Sequence, residues 1–214
     1  MIITHNIFKN SPIFAFFFSW TAIFSAPFSD YKTGDMLFVA KSVSDFEAAV
    51  VGVTQTENQI QFSHIGLVNA TDSGIYVIEA AMKGVVYTSI DSFFTENGEE
   101  NIRQARLLPE YEKYIPAAVA FAYMQLGKDY DYAFDLENDA YYCSELIYAA
   151  FAAASQNNIF FELTPMTFKD PKTNLFLPFW IDYYDKLGVP IPEGKLGLNP
   201  NGMSLSDKLT WVIE

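Results

Sequence analysis

The chain has 214 residues, half of them hydrophobic and 17% aromatic, which excludes a disordered protein and allows one sizeable core. Its 26 acidic and 13 basic side chains give a formal net charge of −13. Nucleic acids and anionic membranes bind proteins whose Lys and Arg side chains neutralise phosphates, so we expect neither partner. The acidic field favours a neutral or cationic substrate, although an acidic surface that serves only solubility is the alternative.

Residues 1–29 are typical of a secretory signal peptide. Lys9 is their only Lys or Arg, an apolar run follows at residues 13–24, and small residues end the segment near Ala26. This run is shorter than the roughly 20 apolar residues that a membrane-spanning helix needs. We therefore predict cleavage near Ala26 and export to the periplasm, the cell envelope or the medium, with a retained N-terminal anchor as the alternative. We predict that residues 30–214 form a single domain.

The elements predicted for this domain begin mainly with strands and end with helices, the order of an α+β fold. The patterns predict strands at residues 36–40, 63–68, 75–80 and 102–107, and helices at residues 45–53, 114–126, 144–155 and 179–187. Gly127 and Gly188 follow two of the helices, as glycine often does at helix C-termini. Cys143 directly precedes the third helix and is therefore predicted to lie at a helix N-terminus.

The segment of residues 63–80 predicts a β-hairpin with turn-forming residues in its middle. Symmetric closure over that turn sets Val68 opposite Ile75, and the same register continued outward sets His64 opposite Glu79. Opposed residues have Cβ atoms roughly 5 Å apart, so these two side chains are within hydrogen-bonding reach. A bulge in the loop would shift the register by one residue and separate them.

Cys143 is the only cysteine, and His64 is the only histidine outside residues 1–29. A helix N-terminus and a neighbouring imidazole both favour the thiolate form of a cysteine. We predict Cys143 as a nucleophile, His64 as the base and Glu79 as the carboxylate that orients the histidine. The backbone N–H of Cys143 would help to stabilise an oxyanion. Each residue also has an ordinary alternative: a core cysteine, a structural histidine and a solvated glutamate.

No metal or other cofactor is expected. A zinc site made of histidine and cysteine needs more ligands than Cys143 and His64 supply, unless carboxylates complete it.

Several short stretches around these residues resemble the YiiX-like, circularly permuted branch of the NlpC-type cysteine hydrolases. They are Gly34-Asp35, Ser63-His64-Ile65-Gly66, Val77-Ile78-Glu79-Ala80, Gly84-Val85, Tyr130-Asp131 and Tyr142-Cys143-Ser144-Glu145-Leu146-Ile147-Tyr148. The resemblance implies a papain-like fold, with an antiparallel sheet or small barrel packed against helices. It also implies a bacterial amide, ester or acyl hydrolase with the same catalytic residues. A weaker similarity follows at residues 199–206.

Four residues near Cys143 are candidate substrate contacts: Tyr130, Asp131, Tyr132 and Tyr142. Tyrosines would pack on the substrate and an aspartate would meet an amino group, while an ordinary surface loop is the alternative. Five aromatic residues in and just before the last predicted helix would form either a lid over the site or a buried stripe. They are Phe176, Phe179, Trp180, Tyr183 and Tyr184.

Three functions are consistent with the sequence. The first is an exported cysteine peptidase or amidase acting on cell-wall-type or related small peptides. The second uses the same residues for acyl transfer or for cleavage of a lipid ester or thioester, which the aromatic C-terminal third would suit. The third is a catalytically silent ligand-binding module. The sequence does not indicate an oligomeric state.

Overall fold

The computed structural model describes residues 30–40, 44–156, 158 and 160–212. The predicted signal peptide at residues 1–29 lies outside the described residues. In chain order the elements are β1 (Met36–Val39), α1 (Asp45–Thr54), β2 (His64–Thr71), β3 (Gly74–Ala81), β4 (Gly84–Ser89), α2 (Ile90–Asn97), β5 (Ile102–Leu107), α3 (Ile115–Met124), α4 (Cys143–Ala154), β6 (Thr164–Pro165), α5 (Pro178–Leu187), β7 (Leu196–Gly197), α6 (Pro200–Met203) and β8 (Leu209–Trp211). Short 3-10 helices cover Glu99–Asn101 and Pro109–Tyr114.

Six of the described strands form one antiparallel sheet in the order β4-β3-β2-β1-β5-β8. Strand β1 lies inside this sheet and all of its side chains are buried. Met36 and Phe38 join the core on one face, whereas Leu37 and Val39 join the core on the other. Burial on both faces explains why β1 is an unbroken apolar run instead of an alternating one. The α+β prediction is confirmed, with an open sheet as the outcome.

Helices cover both faces of the sheet. Helices α3 and α4 pack together and contribute the larger core, while α2 places Ile90 and Phe93 against the opposite face. The sequence analysis did not predict α2, which has only eight residues, of which Ile90 and Phe93 are buried. Its start is fixed by Ser89, whose hydroxyl accepts the N–H of Ser92 at 3.2 Å. None of the described helices combines the length and the apolar character needed to cross a membrane.

The predicted β2–β3 hairpin is confirmed, but its predicted register is wrong by two residues. Val68 pairs with Val77 instead of Ile75, because the strands continue until Thr71 meets Gly74. The polar residues assigned to a loop are thus largely strand, and the turn between the strands is short. Because side chains alternate with period two, an even shift leaves each side chain on its predicted face.

A buried carboxylate ties the start of β1 to β5. Asp35 is 1% exposed and accepts hydrogen bonds from Arg106 Nε at 2.7 Å and Arg106 Nη2 at 2.8 Å. Gln104 Nε2 and the backbone N–H of Lys32 also donate to it, at 2.6 and 2.7 Å. The aspartate of the Gly34-Asp35 stretch therefore has a structural role: it joins two strands that are distant in sequence.

Replacing Asp35 with Asn should lower the free energy of unfolding by about 3 kcal/mol, because the guanidinium of Arg106 would face a neutral amide. Urea denaturation followed by circular dichroism measures the change. Asp139→Asn is the matched control, since Asp139 pairs with Lys128 on the surface and its loss should change stability little. Equal effects of the two substitutions would contradict the assigned role of Asp35.

Candidate active site

The structure brings Cys143, His64 and Glu79 together from three elements. Cys143 begins α4, His64 begins β2 and Glu79 lies in β3. The Nε2 atom of His64 is 2.6 Å from Oε2 of Glu79, and the thiol of Cys143 lies near enough to the ring to raise its pKa. Because Nε2 faces the carboxylate, Nδ1 is the ring nitrogen left for the thiol.

Gly66 makes the contact between His64 and Glu79 possible. The observed register, continued outward, sets Gly66 and not His64 opposite Glu79, so the two polar side chains meet diagonally. A Cβ atom on Gly66 would lie only 2.4 Å from Cγ1 of Val77 and 3.6 Å from Cβ of Glu79. The missing side chain leaves the space across which Glu79 reaches His64.

The surroundings of His64 favour its charged form. The side chains of His64 and Glu79 are 17% and 4% exposed. Burial lowers the pKa of His64, but its hydrogen bonds with Cys143 and Glu79 and their negative charge raise it, and the resulting pKa is about 10. At neutral pH the ring is therefore an imidazolium that donates from both nitrogens.

The residues on either side of Cys143 form hydrogen bonds with the backbone of Leu198. The hydroxyl of Ser144 donates to the Leu198 carbonyl at 3.1 Å, and the hydroxyl of Tyr142 accepts the Leu198 N–H at 3.3 Å. The N–H of Tyr142 donates to Oε2 of Glu145 at 3.1 Å, which caps the start of α4. These contacts were not predicted, because Leu198 is far away in sequence and contributes only backbone atoms.

Glu145 is a buried carboxyl group in the first turn of the helix that begins with Cys143. Burial raises its pKa and nearby Asp131 and Asp135 add to the rise, whereas the N–H of Tyr142 opposes it, and the pKa reaches about 8. Glu145 is therefore mostly neutral at pH 7, and it adds little negative charge beside the thiol.

Tyr130 is a predicted substrate contact that interacts electrostatically with Cys143, as Tyr142 also does. It is 9% exposed, and its ring packs edge-on against Tyr132 and Phe46. Burial raises the pKa of Tyr130 well above its usual value, and the charge of Cys143 adds to this rise. Tyr130 and Cys143 belong to the same buried cluster.

The other candidate substrate contacts already have partners in the protein. Tyr142 is 2% exposed and is bonded to the backbone as described above. The carboxylate of Asp131 accepts the N–H of Ala133 at 2.9 Å and of Asp135 at 2.6 Å. Exposed Tyr132 donates to the Met82 carbonyl at 2.8 Å. These contacts account for the three residues without a substrate, and their substrate roles stay predictions.

Asn201 positions the chain that leads into β2; it belongs to the weaker similarity at residues 199–206, but no role was predicted for it. It is fully buried, its Oδ1 accepts the N–H of Phe62 at 2.6 Å, and its Nδ2 donates to Oγ1 of Thr54 at 3.0 Å. The available signal was the helix start at Asn199 and Pro200, a pattern typical of an N-cap followed by proline.

The aromatic residues of α5 contribute to a third core. Trp180 and Tyr184 are 1% and 2% exposed and pack against Phe168. Phe46 of α1 also contacts Trp180, with ring centroids 5.9 Å apart. For these two residues of α5, the buried stripe describes the structure better than the lid.

Metal binding has no obvious donor set in this part of the molecule. Within the described ranges, no three His, Cys, Asp or Glu side chains form a group that could hold a metal ion.

Comparisons with known proteins agree with this fold. The family described as "Permuted papain-like amidase enzyme, YaeF/YiiX, C92 family" matches residues 30–213. The crystal structure of "metalloprotein yiiX" from Escherichia coli O157:H7 is similar, with a TM-score of 0.66 and 24% sequence identity over 86% of this chain and 97% of that chain. The term metalloprotein describes that protein. No curated protein matches significantly. The chain belongs to the YaeF/YiiX, C92 family of permuted papain-like amidases, as the resemblance in the sequence indicated.

Proposed function

We propose that this protein is a cysteine hydrolase that cleaves an amide bond of a small peptide, with Cys143 as the nucleophile. His64 transfers the proton and Glu79 orients and stabilises the protonated ring. The observation that carries the proposal is the position of the His64 ring, which is hydrogen-bonded to the Glu79 carboxylate and lies close enough to the thiol of Cys143 for the thiol to raise its pKa. Membership of an amidase family supports an amide as the bond cleaved.

The proposed reaction begins with a thiolate and an imidazolium. The Cys143 sulfur attacks the amide carbonyl carbon, a C–S bond forms, and the carbonyl electron pair moves onto oxygen. The N–H of Cys143 lies in the first turn of α4, where N–H groups lack helical partners, and donates to this oxyanion. His64 gives its proton to the departing nitrogen as the C–N bond breaks, which leaves a thioester.

Hydrolysis of the thioester returns the enzyme to its first state. Neutral His64 removes a proton from water, whose oxygen attacks the thioester carbonyl. The C–S bond then breaks, the acid product leaves, and the thiolate and imidazolium are restored. Glu79 accepts the Nε2–H throughout and holds Nδ1 towards the reacting atoms.

We propose a neutral or amino-bearing peptide of the cell-wall type as the substrate. The formal charge of −13 supports this choice, because it disfavours anionic ligands. A lipid substrate was suggested by the aromatic C-terminal third, yet Trp180 and Tyr184 are buried in packing of their own. Export completes the proposal and is supported by the apolar run at residues 13–24.

The pKa of His64 should fall when Cys143 is replaced with Ser, because the thiol contributes to the rise. NMR titration of the imidazole signals measures this change, and the His64 signal is identified by its absence in His64→Gln. Glu79→Gln should also lower the pKa. An unchanged pKa in both variants would contradict the proposed ion pair.

The same interaction should make stability depend on pH. The pKa of His64 is raised in the folded state, so the charged ring stabilises the fold fully below pH 6.5, the ordinary pKa of histidine. This stabilisation is lost as the pH rises towards 10. The difference in unfolding free energy between the wild type and His64→Gln should shrink over that interval.

Substitution of the catalytic residues should abolish hydrolysis of peptide amides. We expect Cys143→Ala to reduce kcat by about 10³-fold or more, and Glu79→Gln by about 10³-fold. Release of new amino groups from peptidoglycan-derived peptides measures turnover. Alkylation by iodoacetamide reports on the thiol alone, because Cys143 is the only cysteine, and it should slow in His64→Ala.

Glu137→Gln is the matched control for Glu79→Gln, because Glu137 is exposed. The Glu137→Gln variant should be as active as the wild type. Lipid esters tested in parallel distinguish the second function. Turnover of esters without any amide cleavage would overturn the choice of substrate, and equal alkylation of wild type and His64→Ala would overturn the pairing of thiol and imidazole.

Tyr130→Phe should lower kcat/KM by roughly tenfold, the effect of losing one hydrogen bond to a bound substrate. Alkylation of Cys143 should remain as fast as in the wild type, because the phenol is not needed to form the thiolate. Tyr141→Phe is the control, since the Tyr141 hydroxyl already bonds to Gln125 at 3.3 Å. Identical kinetics for both variants would remove Tyr130 from the binding site.

A further inference from the structure

A cavity of about 590 Å³ lies at the edge of the sheet, beside the end of β8. Its wall includes residues of β5 and β8, of the segment before β2 and of the 3-10 helix that precedes β5. The volume is within the range of about 300–1,000 Å³ that is typical of small-molecule sites. The catalytic residues proposed above are not in this wall, and buried Val39 pairs with Ile102 of the wall on one side and with His64 on the other.

One part of the wall is an apolar surface. The rings of Phe62 and Trp211 stack with centroids 5.6 Å apart, and Phe38 packs against both. Trp211 nevertheless remains 39% exposed, and Ile60 in the same wall is 38% exposed. This surface leaves room for the apolar side chain of a ligand.

Arg103 is held at the open edge of β5. The Gln104 carbonyl accepts the Val212 N–H at 2.9 Å, and carbonyl groups two residues apart in a strand point to the same side. The Ile102 carbonyl therefore points towards the edge beyond β8, where the cavity lies. Nη1 of Arg103 donates to this carbonyl at 2.8 Å and to the Glu100 carbonyl at 2.9 Å, so the guanidinium is fixed beside the cavity.

A carboxylate borders the same cavity. Glu99 is exposed and begins the 3-10 helix whose next residue, Glu100, accepts the hydrogen bond from Arg103. Among the described residues, neither Arg103 nor Glu99 forms an ion pair with an opposite charge. One cavity is therefore bordered by a cation and an anion that do not neutralise each other.

We propose that this cavity binds a zwitterionic α-amino acid with an apolar side chain. The guanidinium of Arg103 donates to the ligand carboxylate from the N–H groups that the two backbone carbonyls do not use. Glu99 accepts from the ligand ammonium group, and the apolar side chain packs on Trp211. A ligand with only one charge would leave Arg103 or Glu99 unpaired. Binding requires no bond cleavage, so this proposal can fail without affecting the proposed function.

The test uses the full chain and four probes. L-Phenylalanine carries all three recognised groups, whereas 3-phenylpropionate lacks the amino group, 2-phenylethylamine lacks the carboxylate and L-alanine lacks the ring. The indole ¹H–¹⁵N NMR signal of Trp211 reports binding during titration and is assigned by its loss in Trp211→Phe. L-Phenylalanine should bind roughly five- to tenfold more tightly than each of the other probes, because each of them loses one interaction.

Two variants assign the charged groups of the ligand to their partners. Arg103→Gln should weaken L-phenylalanine and 3-phenylpropionate roughly five- to tenfold without weakening 2-phenylethylamine. Glu99→Gln should weaken L-phenylalanine and 2-phenylethylamine without weakening 3-phenylpropionate. Glu100→Gln is the matched control, because Glu100 is exposed on the same 3-10 helix but does not border the cavity. Circular dichroism confirms that the variants fold.

His64→Gln separates this cavity from the proposed active site and should bind L-phenylalanine as the wild type does. Loss of binding in His64→Gln would overturn the proposal, as would a Trp211 signal that L-phenylalanine does not move. Equal affinity of the wild type for L-phenylalanine and its two singly charged analogues would also contradict it. The same holds if Arg103→Gln and Glu99→Gln weaken all probes alike.

Discussion

The position of the His64 imidazole between a buried carboxylate and a thiol is the constraint on which the site depends. An imidazolium in this partly buried place is unfavourable without two acceptors, and here it has Glu79 and Cys143. One acceptor is carried by the sheet and the other by the tip of α4. The sheet and the helix must therefore keep a fixed relation, and the contacts of Leu198 and Asn201 on either side maintain it.

The sequence was sufficient to predict the pairing of His64 with Glu79 because its signals are local, whereas the approach of Cys143 to the ring depends on how α4 packs on the sheet and was implied by the family resemblance. Alternation of side chains put His64 and Glu79 on one face of a hairpin, and apolar spacing after Cys143 put the thiol at a helix start. The exact pairing was wrong by two residues, since polar residues taken for a loop continue the strands up to Thr71 and Gly74. The contact survived because the error was even and because Gly66 leaves room for a diagonal approach.

What could not be predicted depends on pairing between distant segments. Strand β8 has only three residues, which are not buried, and it is recognised as a strand only by its pairing with β5. The role of Asp35 also depends on a distant segment, because Arg106, which donates to its buried carboxylate, lies on another strand. Local patterns carry no information about such partners. The same limit applies to Trp180: its burial in a stripe was one of two alternatives drawn from the sequence, but the lack of a hydrogen-bond partner for its Nε1–H among the described residues was not predicted.

The burial of Glu145 resolves an apparent conflict in the first turn of α4. A helix N-terminus stabilises an anion at Cys143, yet a second negative charge in the same turn would oppose it. Burial near Asp131 and Asp135 raises the pKa of Glu145 to about 8, so the carboxyl group is mostly uncharged at neutral pH. A neutral carboxyl group still accepts the N–H of Tyr142 through its carbonyl oxygen. Glu145 can therefore cap the helix without placing a second negative charge beside Cys143.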